Sequence, residues 1–302
     1  MGTTQAWRQA ARLSRVAAAT VGLFTLLGVA PADAGPITLI ASAQSTPNES
    51  CSGGTPVTQT SSTLAVAHYA CTAGPSVVGA DASAAPGVLG VASTGQHAGG
   101  SIPLAQFGQT EYSDVIAFAK LDPSLPDTFA VSLTFELEGT LARTSGGAAA
   151  LTGNVSMDNL FIGTFEINMD LPFRAPGFIV TGTTGPNTVD AQLTTTTGIA
   201  TVGQLYGIHM TMWGQTYVNF GGSATIDFLH TFGFPSDRPV FNLPDGYTAN
   251  AGNYLVNNRL VGAAPVASEV PEPGTLTLVG MSIAGLVVRR SVSGGGWLAR
   301  RR

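Results

Sequence analysis

Over residues 129–137 the chain alternates large apolar residues (Phe129, Val131, Leu133, Phe135, Leu137) with small or polar ones (Ala130, Ser132, Thr134, Glu136). A period of two puts the two sets on opposite faces of an extended backbone, so this segment is expected to be a strand with one buried and one wet face. The pattern recurs. Phe161, Phe165, Ile167 and Met169 share one phase, and Tyr206, Ile208, Met210 and Met212 share another, against His209, Thr211 and Trp213. Ile226 and Phe228 flank Asp227, and shorter strand-like runs cover residues 63–69, 112–119, 178–183 and 189–197. Residues 239–243 and 247–256 lie on either side of Pro244-Asp245-Gly246, a strong turn signal. No helical period of useful length occurs between the termini. Many short strands separated by turn residues point to an all-β fold, an antiparallel β-sandwich of jelly-roll-like kind.

The two ends follow a different pattern. Arg8, Arg12 and Arg15 precede an apolar run over residues 16–30, and Ala32-Asp33-Ala34 then forms an A-x-A site. This is the layout of a secretory signal peptide over residues 1–34, with a signal helix and cleavage by signal peptidase after Ala34. At the other end Val270-Pro271-Glu272-Pro273-Gly274 leads directly into an apolar stretch, residues 275–288. Arg289 and Arg290 follow, and the basic tail 289–302 ends in Arg300, Arg301 and Arg302. The two prolines keep the motif extended and open to an enzyme. The apolar stretch is expected to form a short transmembrane helix, with Arg289 and Arg290 as its cytoplasmic stop. The resulting organisation is a signal peptide (1–34), a polar leading segment (35–62), a β-sandwich domain (63–265) and a sorting tail (266–302).

The last thirty or so residues, with motif, span and basic cluster in this order, resemble the PEP-CTERM sorting signal. The resemblance implies an exosortase-type processing protease as partner and cleavage near Pro271-Glu272-Pro273. It also implies an inner-membrane stage through residues 275–288, before delivery to the cell surface or the extracellular space. Such tails are typical of bacteria that make exopolysaccharide, floc or biofilm. The apolar stretch is shorter than the usual ~20 residues of a membrane span, and the final arginines lie farther out than is customary. The run from Asp227 through Thr248 is similar to the final hairpin of a group of PEP-CTERM proteins and implies no catalytic residues.

Charge narrows the partners. Residues 35–270 carry 5 basic side chains (Lys120, Arg143, Arg174, Arg238, Arg259) against 16 carboxylates, a balance of 5 − 16 = −11. The whole-chain value of −5 conceals this because both termini are basic. An acidic exported domain argues against nucleic acid and against anionic membrane surfaces. The only cysteines, Cys51 and Cys71, are 20 residues apart in the exported part. In an oxidising compartment they are expected to form a disulfide contributing ~3 kcal/mol, whereas the spacing fits no zinc motif.

Signals for chemistry are sparse. The chain has no nucleophile elbow, zinc helix, phosphate loop or dinucleotide fingerprint, so no catalytic residue, cofactor or metal ligand is assigned. His68, His97, His209 and His230 are scattered. Asp122 with Asp127, or Asp158 with Asn159, could supply oxygen ligands to calcium, but no EF-hand or nonapeptide repeat supports it. Trp213, Tyr217, Tyr247 and Tyr254 are candidates for stacking on sugars, with core packing as the commoner fate of such rings. Two readings follow. One is a non-enzymatic structural or adhesive protein of the surface or extracellular matrix, associated with exopolysaccharide. The alternative is a carbohydrate-binding module or a secreted polysaccharide hydrolase, the hydrolase using carboxylates such as Glu136 or Glu138 across a cleft.

Overall fold

The computed structural model describes residues 38–45, 57–73, 76–98, 104–185, 187–219, 221–252 and 254–261. The signal peptide with Ala32 and Ala34, Cys51, and the tail from Val270 through Gly274, the apolar stretch, Arg289 and Arg290 lie outside the described residues.

Nineteen strands occur among the described residues. In the first third of the chain they are β1 (Thr38–Ser45), β2 (Val57–Ser61), β3 (Ala65–Ala73), β4 (Ser76–Ala85), β5 (Val88–Gln96) and β6 (Leu104–Lys120). The middle supplies β7 (Thr128–Arg143), β8 (Gly147–Met157), β9 (Phe161–Asn168), β10 (Leu171–Arg174), β11 (Phe178–Thr184), β12 (Thr188–Thr195) and β13 (Gly198–Thr201). The last part holds β14 (Leu205–Val218), β15 (Ser223–Gly233), β16 (Phe241–Asn242), β17 (Tyr247–Asn250), β18 (Leu255–Val256) and β19 (Arg259–Leu260). All pairings are antiparallel.

One sheet has the order β10-β9-β8-β14-β6-β1-β2, with β17 added to the end of β6. The other has the order β11-β12-β7-β15-β5-β4-β3, with β13 and β16 both added to β7. The two orders run in step across the sandwich, each strand of the first sheet crossing one or two of the second: β8 lies over β7 and β15, β14 over β15 and β5, β6 over β5 and β4, β1 over β4 and β3, and β2 over β3. Consecutive strands such as β5 and β6, or β7 and β8, therefore face each other through the core, and local meanders (β3-β4-β5, β8-β9-β10) extend each layer. The two-sheet antiparallel sandwich agrees with the sequence pattern.

Side-chain alternation explains why these segments become strands. On β14, Tyr206, Ile208, Met210 and Met212 are buried, and on β7 the same holds for Phe129, Val131, Leu133, Phe135 and Leu137. Ile226 and Phe228 point inward with Asp227 exposed between them. Aromatic rings fill the middle of the core. Phe135 lies against Phe178, Phe232 and Phe234, with centroids 6.2, 5.4 and 5.7 Å away, and Phe234 in turn meets Tyr112 edge-on.

Three features differ from the sequence reading. Part of the polar leading segment is built into a sheet: β1 pairs with both β2 and β6, and Leu39, Ala41 and Ala43 are fully buried. The β4–β5 hairpin was not legible because its inward positions are mostly alanine, glycine and serine, which give no apolar contrast. The segment around Pro244-Asp245-Gly246 is a turn, with the Tyr247 amide donating to the Pro244 carbonyl at 3.3 Å. It is not a hairpin, however. The preceding strand β16 pairs with β7 in one sheet, and the following strand β17 pairs with β6 in the other. The chain thus crosses the core here, where the inward ring of Phe241 meets Phe118 of β6 edge-on.

Gly177 sits between β10 and β11, where the chain passes from one sheet to the other. Its φ is 86°, and a Cβ there would lie 2.3 Å from the Ile162 carbonyl oxygen. Gly177→Ala is expected to lower stability by about 1–3 kcal/mol. A drop in urea midpoint at unchanged m-value checks this, and an unchanged midpoint would refute it.

Candidate functional site

The outward face of the first sheet carries the grouping with the most recognisable binding chemistry. Because β14 buries its even-numbered residues, His209, Thr211, Trp213, Gln215 and Tyr217 must point out of the sandwich. On the neighbouring strands Trp213 stands opposite Gln109 of β6 and Thr152 of β8, and Gln215 stands opposite Phe107. Trp213 and Phe107 are thus diagonal cross-strand neighbours, and their rings lie parallel, 4° apart in plane with centroids at 5.8 Å. One rung along, the His209 Nε2 lies 2.9 Å from the Glu111 carboxylate. Tyr217 is 36% exposed at the end of the row.

The four aromatic candidates separate. Trp213 and Tyr217 share this face. Tyr247 is stacked on Phe129 at 4.3 Å, and its hydroxyl donates to the Pro126 carbonyl at 2.7 Å, so it closes one end of the sandwich. Tyr254 is buried, and its hydroxyl donates to Asp114 Oδ2 at 2.5 Å. Phe107 was missed in the sequence. Its half of β6 breaks the alternation, because the buried positions there are occupied by Gln106 and Gly108. The only available signal was its phase, two positions from Gln109 and four from Glu111.

Among the described residues Asp114 is the buried carboxylate. It lies on the inward face of β6, 5% exposed, where Tyr254 and, at 3.4 Å, Tyr112 hydrogen-bond to the same oxygen. The two tyrosine hydroxyls are also within bonding distance of each other, so the single Tyr112 proton is shared between the Tyr254 oxygen and the carboxylate. Burial pushes the Asp114 carboxyl above its ordinary range, opposed by hydrogen bonds from Tyr254, the Val115 amide and Tyr112. Burial also raises Tyr112 and Tyr254, so both hydroxyls stay protonated as donors.

The other carboxylates serve the fold or the surface. Asp122 accepts from the Ser124 amide and Asp127 from Lys120, while Asp158 receives the Gly207 amide at 2.7 Å. Glu136 and Glu138 point outward from one strand of the second sheet, and Glu136 is bonded to Arg238. Two carboxylates on one strand face do not oppose each other across a cleft, as glycoside hydrolysis requires. Among the described residues no three His, Cys, Asp or Glu side chains gather to hold a metal, and no helix is long and apolar enough to cross a membrane. Cys71 is buried on β3, and no cysteine among the described residues is free.

Residues 269–291 match the PEP-CTERM protein-sorting motif. The chain therefore carries an exosortase sorting signal, which implies an exported protein held at the membrane and then sorted to the surface. Among curated proteins, none matches the chain.

Proposed function

From the sorting motif at residues 269–291 we propose that this protein is a surface or extracellular-matrix component whose β-sandwich has a non-enzymatic, adhesive role toward exopolysaccharide. The motif is the observation that carries the reading, since it routes the domain to the place where such polymers accumulate. Signal peptidase cleaves after Ala34, the Arg289–Arg290 pair stops the span on the cytoplasmic side, and exosortase-type cleavage near Pro271-Glu272-Pro273 removes the tail. In the oxidising compartment Cys51 pairs with Cys71, which agrees with the absence of a free thiol at Cys71.

Intact mass of the protein from medium and envelope fractions tests this routing. The expected species runs from Gly35 to about Val270 and disappears in a Glu272→Ala, Pro273→Ala double variant, which instead retains the tail to Arg302. A wild-type mass that includes the tail would overturn it. Co-fractionation of the processed protein with matrix polysaccharide, against a control sandwich domain, tests the adhesive role.

A further inference from the structure

We infer that the open edge of β11 is a pairing surface for a second copy of this chain, joined antiparallel about a two-fold axis at Gly182. The contact makes one continuous sheet from the second sheets of two molecules. It concerns how copies of the protein associate and stands apart from the adhesive reading above.

The antiparallel ladder decides which backbone groups are open. In such a pair, alternate residues aim their N–H and C=O at the partner strand, and those between aim them away. The Thr196 amide donates to the Gly177 carbonyl at 3.3 Å, and the Gly185 amide to the Thr188 carbonyl at 2.9 Å. Both ends of the ladder therefore set the odd-numbered residues of β11 against β12. The even-numbered ones face away, and Phe178 accordingly donates its amide to the Ala175 carbonyl. Val180, Gly182 and Thr184 have no such neighbour among the described residues, so their N–H and C=O groups line an open edge. Thr181, Gly182, Thr183 and Thr184 are exposed in both phases of the strand, so this end projects beyond the layer beneath it.

The other sheet edges are blunted. β10 carries Pro172 and Arg174, and its register breaks between Leu171 and Arg174. β2 has only five residues. On β3 the Val66 amide donates to Gln59 Oε1 at 3.1 Å. Proline, charge, irregular register, short length and a covered amide are all means by which an edge avoids another strand. β11 uses none of them: Phe178–Thr184 contains no charge and no proline, and its register with β12 is unbroken.

The strand matches itself. Antiparallel pairing centred on Gly182 sets Val180 against Thr184 of the second copy, so every open position exchanges both of its backbone bonds. On the outer face the same register places Thr181 directly opposite the second copy's Thr183, and cross-strand threonine pairs are favourable. At the axis there is no side chain. Gly182 has a φ of 107°, and a Cβ there would lie 2.4 Å from the Asp190 carbonyl oxygen, so the two backbones approach with nothing between them. Charge points to the same partner. The exported domain is strongly acidic, so two copies meet where carboxylates are absent. Asp190, the carboxylate beside this edge, stands opposite Thr183 on β12. Across the axis the two Asp190 residues are three strand spacings apart, ~14 Å, beyond the screening length of ~8 Å at physiological salt. Each molecule has one β11, so the pairing closes at a dimer.

Sedimentation velocity of the exported protein tests this. A strand-edge contact buries less than the ~1,200 Å² of a standard interface, so association is reversible and is read across micromolar to millimolar protein. The expected result is a mass that rises with concentration toward twice the monomer. A Thr181→Lys, Thr183→Lys double variant sets lysine opposite lysine across the axis and weakens the dimer at least about tenfold. A Thr181→Glu, Thr183→Glu double variant does the same with carboxylates. An equimolar mixture of the two recovers the dimer, because opposite charges then face each other, and that recovery also shows that both variants are folded. Hydrogen exchange at the Val180, Gly182 and Thr184 amides slows as wild-type concentration rises. A wild-type mass that stays at the monomer value, a dimer that survives the lysine variant, or a mixture that stays monomeric would overturn the inference. Protection of those three amides at every concentration would place a segment of the same chain on the edge, and would overturn it as well.

Discussion

Phe135→Ala lowers the unfolding free energy by about 3–5 kcal/mol, the range for removing a fully buried aromatic side chain whose surroundings cannot collapse into the gap. Phe135 is completely buried on β7, a strand paired on both sides by β12 and β15. Its ring contacts come from three other places: Phe178 on β11, Phe232 on β15, and Phe234 just beyond β15. Phe232 also meets Phe165 across the sandwich at 4.8 Å, so the cluster joins the two sheets. Strands fixed by ladder hydrogen bonds shift little, so the cavity persists. A domain of this size has a total stability of ~5–15 kcal/mol, so the change removes a large share and yields of exported protein fall with it. Urea unfolding of the variant measures the loss directly. Phe135→Leu, which keeps most of the volume, is expected to cost less than half as much, and a loss below about 1 kcal/mol for the alanine variant would contradict this account of the core.

Tyr254→Phe gives the second large effect, about 2 kcal/mol at neutral pH, because it withdraws the closest donor from a buried carboxylate. The effect depends on pH, and its sign follows from Asp114. Burial raises the folded-state carboxyl above its unfolded value near 3.8. A group shifted upward contributes stability that is fully present below the unfolded value and is lost as pH rises through the folded one. Wild type therefore gains stability from Asp114 on acidification, while Asp114→Asn lacks that gain. The difference between the two should grow as pH falls through the raised value and level off below about 3.8. Asp122 and Asp170 act in the opposite sense, since the Ser124 amide and the Arg143 guanidinium hold their carboxyls low. Subtracting the Asp114→Asn curve cancels them. In Tyr254→Phe the acid gain is larger than in wild type, because the ionised form has lost a partner. A pH-independent difference between wild type and Asp114→Asn would show that Asp114 is not the buried ionisable group described here.

Tyr254 also shows where sequence reasoning stopped. The sequence offers it with Trp213, Tyr217 and Tyr247 as an aromatic that could stack on sugars, with core packing as the commoner fate. Its orientation is decided by the arch from β16 to β17, which sends the chain from one sheet to the other and brings residue 254 against residue 114. A contact between residues 140 apart leaves no local signature. Phe107 was overlooked for a related reason: the interior beside it accepts polar Gln106, which bonds Thr216 at 2.7 Å, so the strand there does not look amphipathic.

What the sequence determined by itself is the local and the linear. The sorting motif is a short contiguous string read by a protease and a membrane, and its meaning does not depend on the folded domain. The phases of β7, β9, β14 and β15 follow from a period of two that any extended backbone imposes. Tertiary structure alone decided which strands became neighbours, and hence that Phe107 and Trp213 stack on each other while Tyr254 turns inward to Asp114. The reason is that pairing order in a sandwich is set by packing two whole faces together, and a choice made over the entire core cannot be read from any single segment.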